Sequence, residues 1–82
     1  MNFSRGELLR FSGLERGARV VIYSLAGAEV ATLGPATSRT LAWDGRNRDG
    51  RLVAAGIFLY GIDTPVAGGA HAWRKGKFGV IR

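Results

Sequence analysis

The sequence predicts an all-β domain, an antiparallel sandwich of about seven short strands, and three observations carry that expectation. Short runs rich in β-branched and aromatic residues recur, as in Val20-Val21-Ile22-Tyr23 and Ile57-Phe58-Leu59-Tyr60, which suits a pleated, half-buried surface. Two Asp-Gly pairs, Asp44-Gly45 and Asp49-Gly50, stand between apolar runs and supply the positive φ angles that tight connections require. Helical periodicity appears nowhere over a useful length.

Residues 7–11 alternate, with Leu9 and Phe11 on one face and Leu8 and Arg10 on the other, until Ser12-Gly13 breaks a first strand. Glu15-Arg16-Gly17 then turns the chain into residues 19–25, where Val20 and Ile22 face the core and Val21 and Tyr23 the opposite side. A strand apolar on both faces is central or covered. Ala26-Gly27-Ala28 makes a hairpin connection to residues 29–33, and Gly34-Pro35 ends that strand because proline cannot donate to a ladder. Residues 40–43 set Leu41 and Trp43 on one face, and residues 56–63 set Ile57 and Leu59 against Phe58, Tyr60 and Ile62. Thr64-Pro65-Val66-Ala67-Gly68-Gly69 is a loop by its proline and glycine content. Residues 73–82 close the chain as a last strand, with Trp73, Lys75 and Lys77 on one face and Phe78 and Val80 on the other. One core of Val20, Ile22, Leu41, Trp43, Ile57, Leu59, Phe78 and Val80 is expected, in an antiparallel β-sandwich of immunoglobulin-like type.

The chain of 82 residues is one domain, 1–82, and a domain of this size buries only about 60–65% of the surface its unfolded form exposes. Hydrophobic residues at 46% against 22% charged indicate a folded globule, and 13 glycines suit many short turns. With no cysteine, neither a disulfide framework nor a thiolate metal site can form. No apolar run approaches the ~20 residues of a membrane-spanning helix, and Met1-Asn2-Phe3-Ser4-Arg5 lacks the apolar core of a secretory signal. The formal net charge of +6 attracts anionic partners at long range. Arginine outnumbers lysine, and the basic residues are dispersed apart from local clusters at residues 46–51 and 74–77.

The oxygen-bearing group Asp44, Asn47 and Asp49 suggests a calcium loop, because hard oxygen ligands near glycines are what that ion prefers. Arg46, Arg48 and Arg51 sit among those ligands and repel a cation, and the later bidentate Glu of such loops is missing. Asp44, Gly45, Asn47, Asp49 and Gly50 are therefore read as a structural turn, with side-chain oxygens accepting backbone amides. His71 is the only histidine, and its Gly68-Gly69-Ala70 surroundings suggest an exposed loop position with no acid or nucleophile at hand. No glycine cluster has the form of a phosphate loop. Neither a catalytic group nor a cofactor site nor a metal site is expected, so the chain is read as non-enzymatic. Trp73-Arg74-Lys75-Gly76-Lys77-Phe78 interleaves aromatics with bases, as single-stranded nucleic-acid binders do, but strand alternation accounts for the same pattern.

The run Val20 to Leu33, the Trp43 to Tyr60 stretch with its two Asp-Gly turns, and the ending Gly76-Lys77-Phe78-Gly79-Val80-Ile81-Arg82 occur in an order that carries a family resemblance. Over roughly residues 8–82 the chain resembles the immunoglobulin-like domain of flagellar hook-capping proteins and the related C-terminal sorting domains of type IX secretion cargo. The resemblance implies a larger, exported natural protein from which the domain is excised, a place outside the cell or on its surface, and a sorting or anchoring role exercised on protein partners. It points to Lys75, Lys77 and Arg82 of the last strand as the residues that secretion machinery recognises. Two alternatives stand beside it: a structural subunit of an extracellular assembly, hook-cap-like or filamentous, and a basic domain for nucleic acid or another polyanion.

Overall fold

The computed structural model describes residues 2–81. Six strands follow in order: β1 (Leu9–Phe11), β2 (Arg19–Ser24), β3 (Glu29–Leu33), β4 (Leu41–Trp43), β5 (Gly56–Pro65) and β6 (His71–Val80). β1 and β4 form a two-stranded sheet, and the other four form a sheet in the order β3-β2-β5-β6. All pairings are antiparallel, and the two sheets pack face to face as the expected sandwich. The count is six strands instead of about seven. Between β4 and β5 the two Asp-Gly turns fold the chain back on itself so tightly that pairing is reduced to one bridge, Arg46 with Leu52. The last strand begins at His71 instead of Trp73, and the sequence-predicted loop at residues 64–69 gives up Thr64 and Pro65 to the end of β5.

The core is aromatic at its centre. Trp43, 2% exposed, receives Phe3, Phe78 and Phe58 edge-on, with ring centroids 5.0, 5.8 and 6.2 Å away. Phe11 of the small sheet meets Tyr60 of the large one at 5.2 Å, so both sheets contribute to one cluster. Val20, Ile22 and Val80 are buried as the alternation predicts, and Leu41 and Phe78 pack half-buried against them. The small side chains Ala18, Ala31 and Ala36 are buried where the backbones approach most closely.

Ile57 and Leu59 are corrected by the register. Val20, Ile22 and Ser24 pair with Ile62, Tyr60 and Phe58, and directly paired residues share a face of the sheet. The buried face of β2 therefore brings Phe58, Tyr60 and Ile62 inward. Leu59 pairs with Tyr23 on the outer face, and Ile57 is 51% exposed. Both alternating sets of β5 are apolar, so hydrophobicity alone does not choose between them.

The N-terminal segment also belongs to the core. Asn2 caps a 3-10 turn at Phe3–Arg5, its side-chain oxygen accepting the Ser4 amide, and its own N–H donates to the Glu7 carboxylate at 2.9 Å. That turn drives Phe3 against Trp43.

Truncation of Trp43 to Ala is expected to cost roughly 3–5 kcal/mol in chemical denaturation, a large share of the stability of so small a domain. The phase of β5 has its own check: Phe58→Ala should be destabilising on the same scale, while Ile57→Ala should cost under about 1 kcal/mol. Equal losses at the two positions would contradict the register.

Candidate functional site

Two regions hold the residues singled out by the sequence. The first is the connection after β4. Asp44 Oδ1 accepts the Arg46 amide at 3.1 Å, and Asn47 Oδ1 accepts the amides of Asp49 and Arg51 at 3.0 and 3.1 Å. Gly50 donates its N–H to the Asn47 carbonyl at 3.0 Å, and the Asn47 amide donates to the Arg51 carbonyl at 2.9 Å. Gly45 and Gly50 have φ of +81° and +79°, the left-handed region that glycine enters without steric cost. Asp44 and Asn47 thus act through their side-chain oxygens, whereas Asp49 takes part through its backbone N–H.

The guanidinium of Arg46 donates to the Gly50 carbonyl at 2.9 Å. A positive group of the chain itself therefore spans the loop where a bound cation would be sought. Among the described residues, no group of three or more His, Asp or Glu side chains is placed to hold a metal ion. The loop is fastened at both ends, because Trp43 Nε1–H donates to the Arg46 carbonyl at 2.9 Å and Arg48 pairs with Glu29 of β3. Gly45 is constrained twice: besides its φ, a Cβ there would lie 2.2 Å from the Phe3 ring.

The second region is β6 and the sheet face beside it. Trp73, Lys75 and Lys77 lie on the outer face and are exposed, while Phe78 and Val80 point into the sandwich. Arg74 sits across from Ile62 on the inner face, so the basic cluster at residues 74–77 is split between two faces. Trp73 and Phe78 are divided in the same way. Phe78 is engaged with Trp43, Phe58 and Tyr60, leaving Trp73 as the exposed aromatic of this strand. Arg82 lies outside the described residues.

The outer face carries a shallow groove of about 300 Å³ lined by Tyr23, Leu59, Gly61, Trp73, Lys75 and Gly76. Its floor depends on glycine, since a Cβ at Gly61 would stand 3.2 Å from the Trp73 ring. On the inner side, a Cβ at Gly76 would fall 2.3 Å from the Tyr60 ring, and these two residues are directly paired. This groove was not expected from the sequence, although the double apolar alternation of β2 and β5 is the signal that could have found it.

His71 occupies the first position of β6, not a loop, and its Nδ1 lies 2.7 Å from Asp63 Oδ1. The carboxylate comes from a diagonal neighbour on β5, eight residues earlier, which local sequence did not suggest. His71 is exposed as expected, with 52% of its side chain accessible.

No family model and no curated protein matches the sequence. Among solved structures, the chain is similar to PorZ of Porphyromonas gingivalis, described as an essential bacterial surface component of the type-IX secretion system, with a TM-score of 0.80 and 23% identity. The match covers 100% of this chain and 10% of that one. The chain therefore spans about a tenth of the length of the protein it resembles, and at that identity the likeness is one of fold.

The glycines of the turn should respond differently to substitution. Gly50→Ala meets open space and should cost about 1–2 kcal/mol through backbone strain alone, whereas Gly45→Ala also collides with Phe3 and should cost clearly more. Calcium at millimolar concentration should leave the melting temperature unchanged, and an upward shift would show that the loop oxygens bind the ion. In β6, Lys75→Glu with Lys77→Glu should alter stability by no more than about 0.5 kcal/mol, while deletion of residues 78–82 should unfold the domain by removing Phe78 and Val80 from the core.

Proposed function

We propose that this β-sandwich is a non-enzymatic module of type IX secretion, a C-terminal sorting and anchoring domain that brings a larger exported protein to the cell surface by docking on protein partners. The observation that carries the reading is the superposition of the whole chain, TM-score 0.80, on a domain-sized tenth of a surface component of that secretion system. The resemblance of the ordered sequence blocks to those of sorting domains points the same way.

The chemistry of the side chains agrees with binding in preference to catalysis. Asp44 and Asn47 spend their oxygens on backbone amides of the turn, and the single histidine is engaged with Asp63 on an open surface. On β6 the exposed groups are an aromatic ring, two ammonium groups and the strand edge. Recognition by protein surfaces uses such elements, with the main chain giving affinity and alternate side chains giving specificity.

A reporter fused upstream of the domain and expressed in a host with type IX secretion tests the proposal. Surface delivery that depends on the domain is expected, with the fold-disrupting deletion of residues 78–82 abolishing it. Delivery that persists without the domain would overturn the sorting role, and a wild-type fusion that stays undelivered would favour a structural subunit of an extracellular assembly.

A further inference from the structure

The four-stranded sheet has two edges, and they are finished differently. β3 is five residues long, lies beside an irregularity in its pairing with β2 at Ile22/Tyr23, and is tied down by the Arg48–Glu29 pair. Bulges, short length and covering side chains are how sheet edges are kept from recruiting further strands. β6 is ten residues long and pairs with β5 in continuous register from Val80 to His71. Among the described residues no strand lies on its other side, and His71, Ala72, Trp73, Arg74 and Lys75 are all exposed. Its outward N–H and C=O groups form an open template.

Lys75 and Lys77 decide what that template accepts. A second copy of the chain, paired antiparallel about Gly76, would set Lys75 directly across from Lys77 of the other copy, and like charges in that position are destabilising. The net charge of +6 adds long-range repulsion between copies. A strand with carboxylates at the same positions gains what the second copy loses. The two lysines thus repel copies of the chain and favour an acidic strand.

We infer that β6 is an acceptor edge for an extended, acidic segment of a partner protein, which adds antiparallel to it with carboxylates across from Lys75 and Lys77 and an apolar side chain across from Trp73. The inference rests on the docking role proposed above and gives that role a location and a partner chemistry. The register dictates the partner pattern. Residues across from Lys77, Lys75 and Trp73 are spaced by two, so the segment reads acidic, any, acidic, any, apolar from its N-terminus. The intervening residues lie on the inner face, across from Gly76 and Arg74.

The test uses the full chain, isotopically labelled for NMR, and a peptide alternating Glu with Val and ending in Phe, so that the two Glu and the Phe fall on one face. Binding is expected to slow hydrogen exchange of outward-facing β6 amides and to leave β3 amides unaffected. Lys75→Glu with Lys77→Glu should weaken this peptide by about tenfold, equivalent to ~1.4 kcal/mol. The same double variant should gain binding to a peptide with Lys in place of Glu, which the wild type should reject. Equal affinity of wild type and variant for the acidic peptide, binding that leaves β6 amides unprotected, absence of binding at millimolar peptide, or a wild-type dimer paired through β6 would each overturn the inference. Peptide binding with no reporter delivery would support the edge site and remove the sorting role. Delivery without peptide binding would do the reverse.

Discussion

Burial of the Trp43 indole between the two sheets is the interaction on which the rest of the molecule depends. A side chain of that size removes 150–250 Å² from water, on the order of 4–6 kcal/mol, and a chain with no cysteine has no covalent staple to take its place. Phe3, Phe58 and Phe78 reach the ring from three parts of the sequence, so its burial brings together the N-terminal turn and the two longest strands. Its one polar atom is satisfied by the Arg46 carbonyl at 2.9 Å. The core therefore dictates where the connection after β4 must run, and Phe3 in turn requires a glycine at residue 45.

With the turn holding β4 in place, the Asp44 and Asn47 side chains, which look most like a site in the sequence, accept backbone amides of the turn. The Trp73 groove and the free edge lie elsewhere, on β6 of the large sheet. There the sandwich is unequal: two three-residue strands face four longer ones. The small sheet covers the cluster around Trp43 but leaves most of β6 exposed. The exposed edge itself follows from β6 being last in the order of the large sheet.

Much of this architecture was legible in the sequence. The β2-β3 hairpin, the strand ending at Leu33 before Gly34-Pro35, the inward set Val20, Ile22, Trp43 and Val80, and the outward Trp73, Lys75 and Lys77 follow from alternation and turn chemistry. What was not legible has physical causes. The phase of β5 was ambiguous because Ile57 and Leu59 are as apolar as Phe58, Tyr60 and Ile62, and only pairing with β2 distinguishes the two sets. Phe3 gave no periodic signal because it enters the core from a 3-10 turn. Ala18, Ala31 and Ala36 are buried because backbones come close there, a property of three dimensions. The roles of Asp44 and Asn47 as backbone acceptors were readable from the Asp-Gly turns. The Asp63–His71 contact was not, since it arises from a cross-strand neighbour whose register no local pattern specifies.

The Tyr60 ring lies where a side chain at residue 76 would otherwise be. An outermost strand held only by its ladder of hydrogen bonds can fray, and a ligand that docks on it must first bear the entropy of straightening it. Here the aromatic ring of the neighbouring strand presses on the middle of β6, in line with Phe78 two pairs further along. The entropic cost of ordering the receiving strand has been met during folding, so less of the free energy of encounter is lost to immobilising the receptor. Gly76, which adds no side chain of its own, thereby keeps the outermost strand ordered by leaving room for the Tyr60 ring.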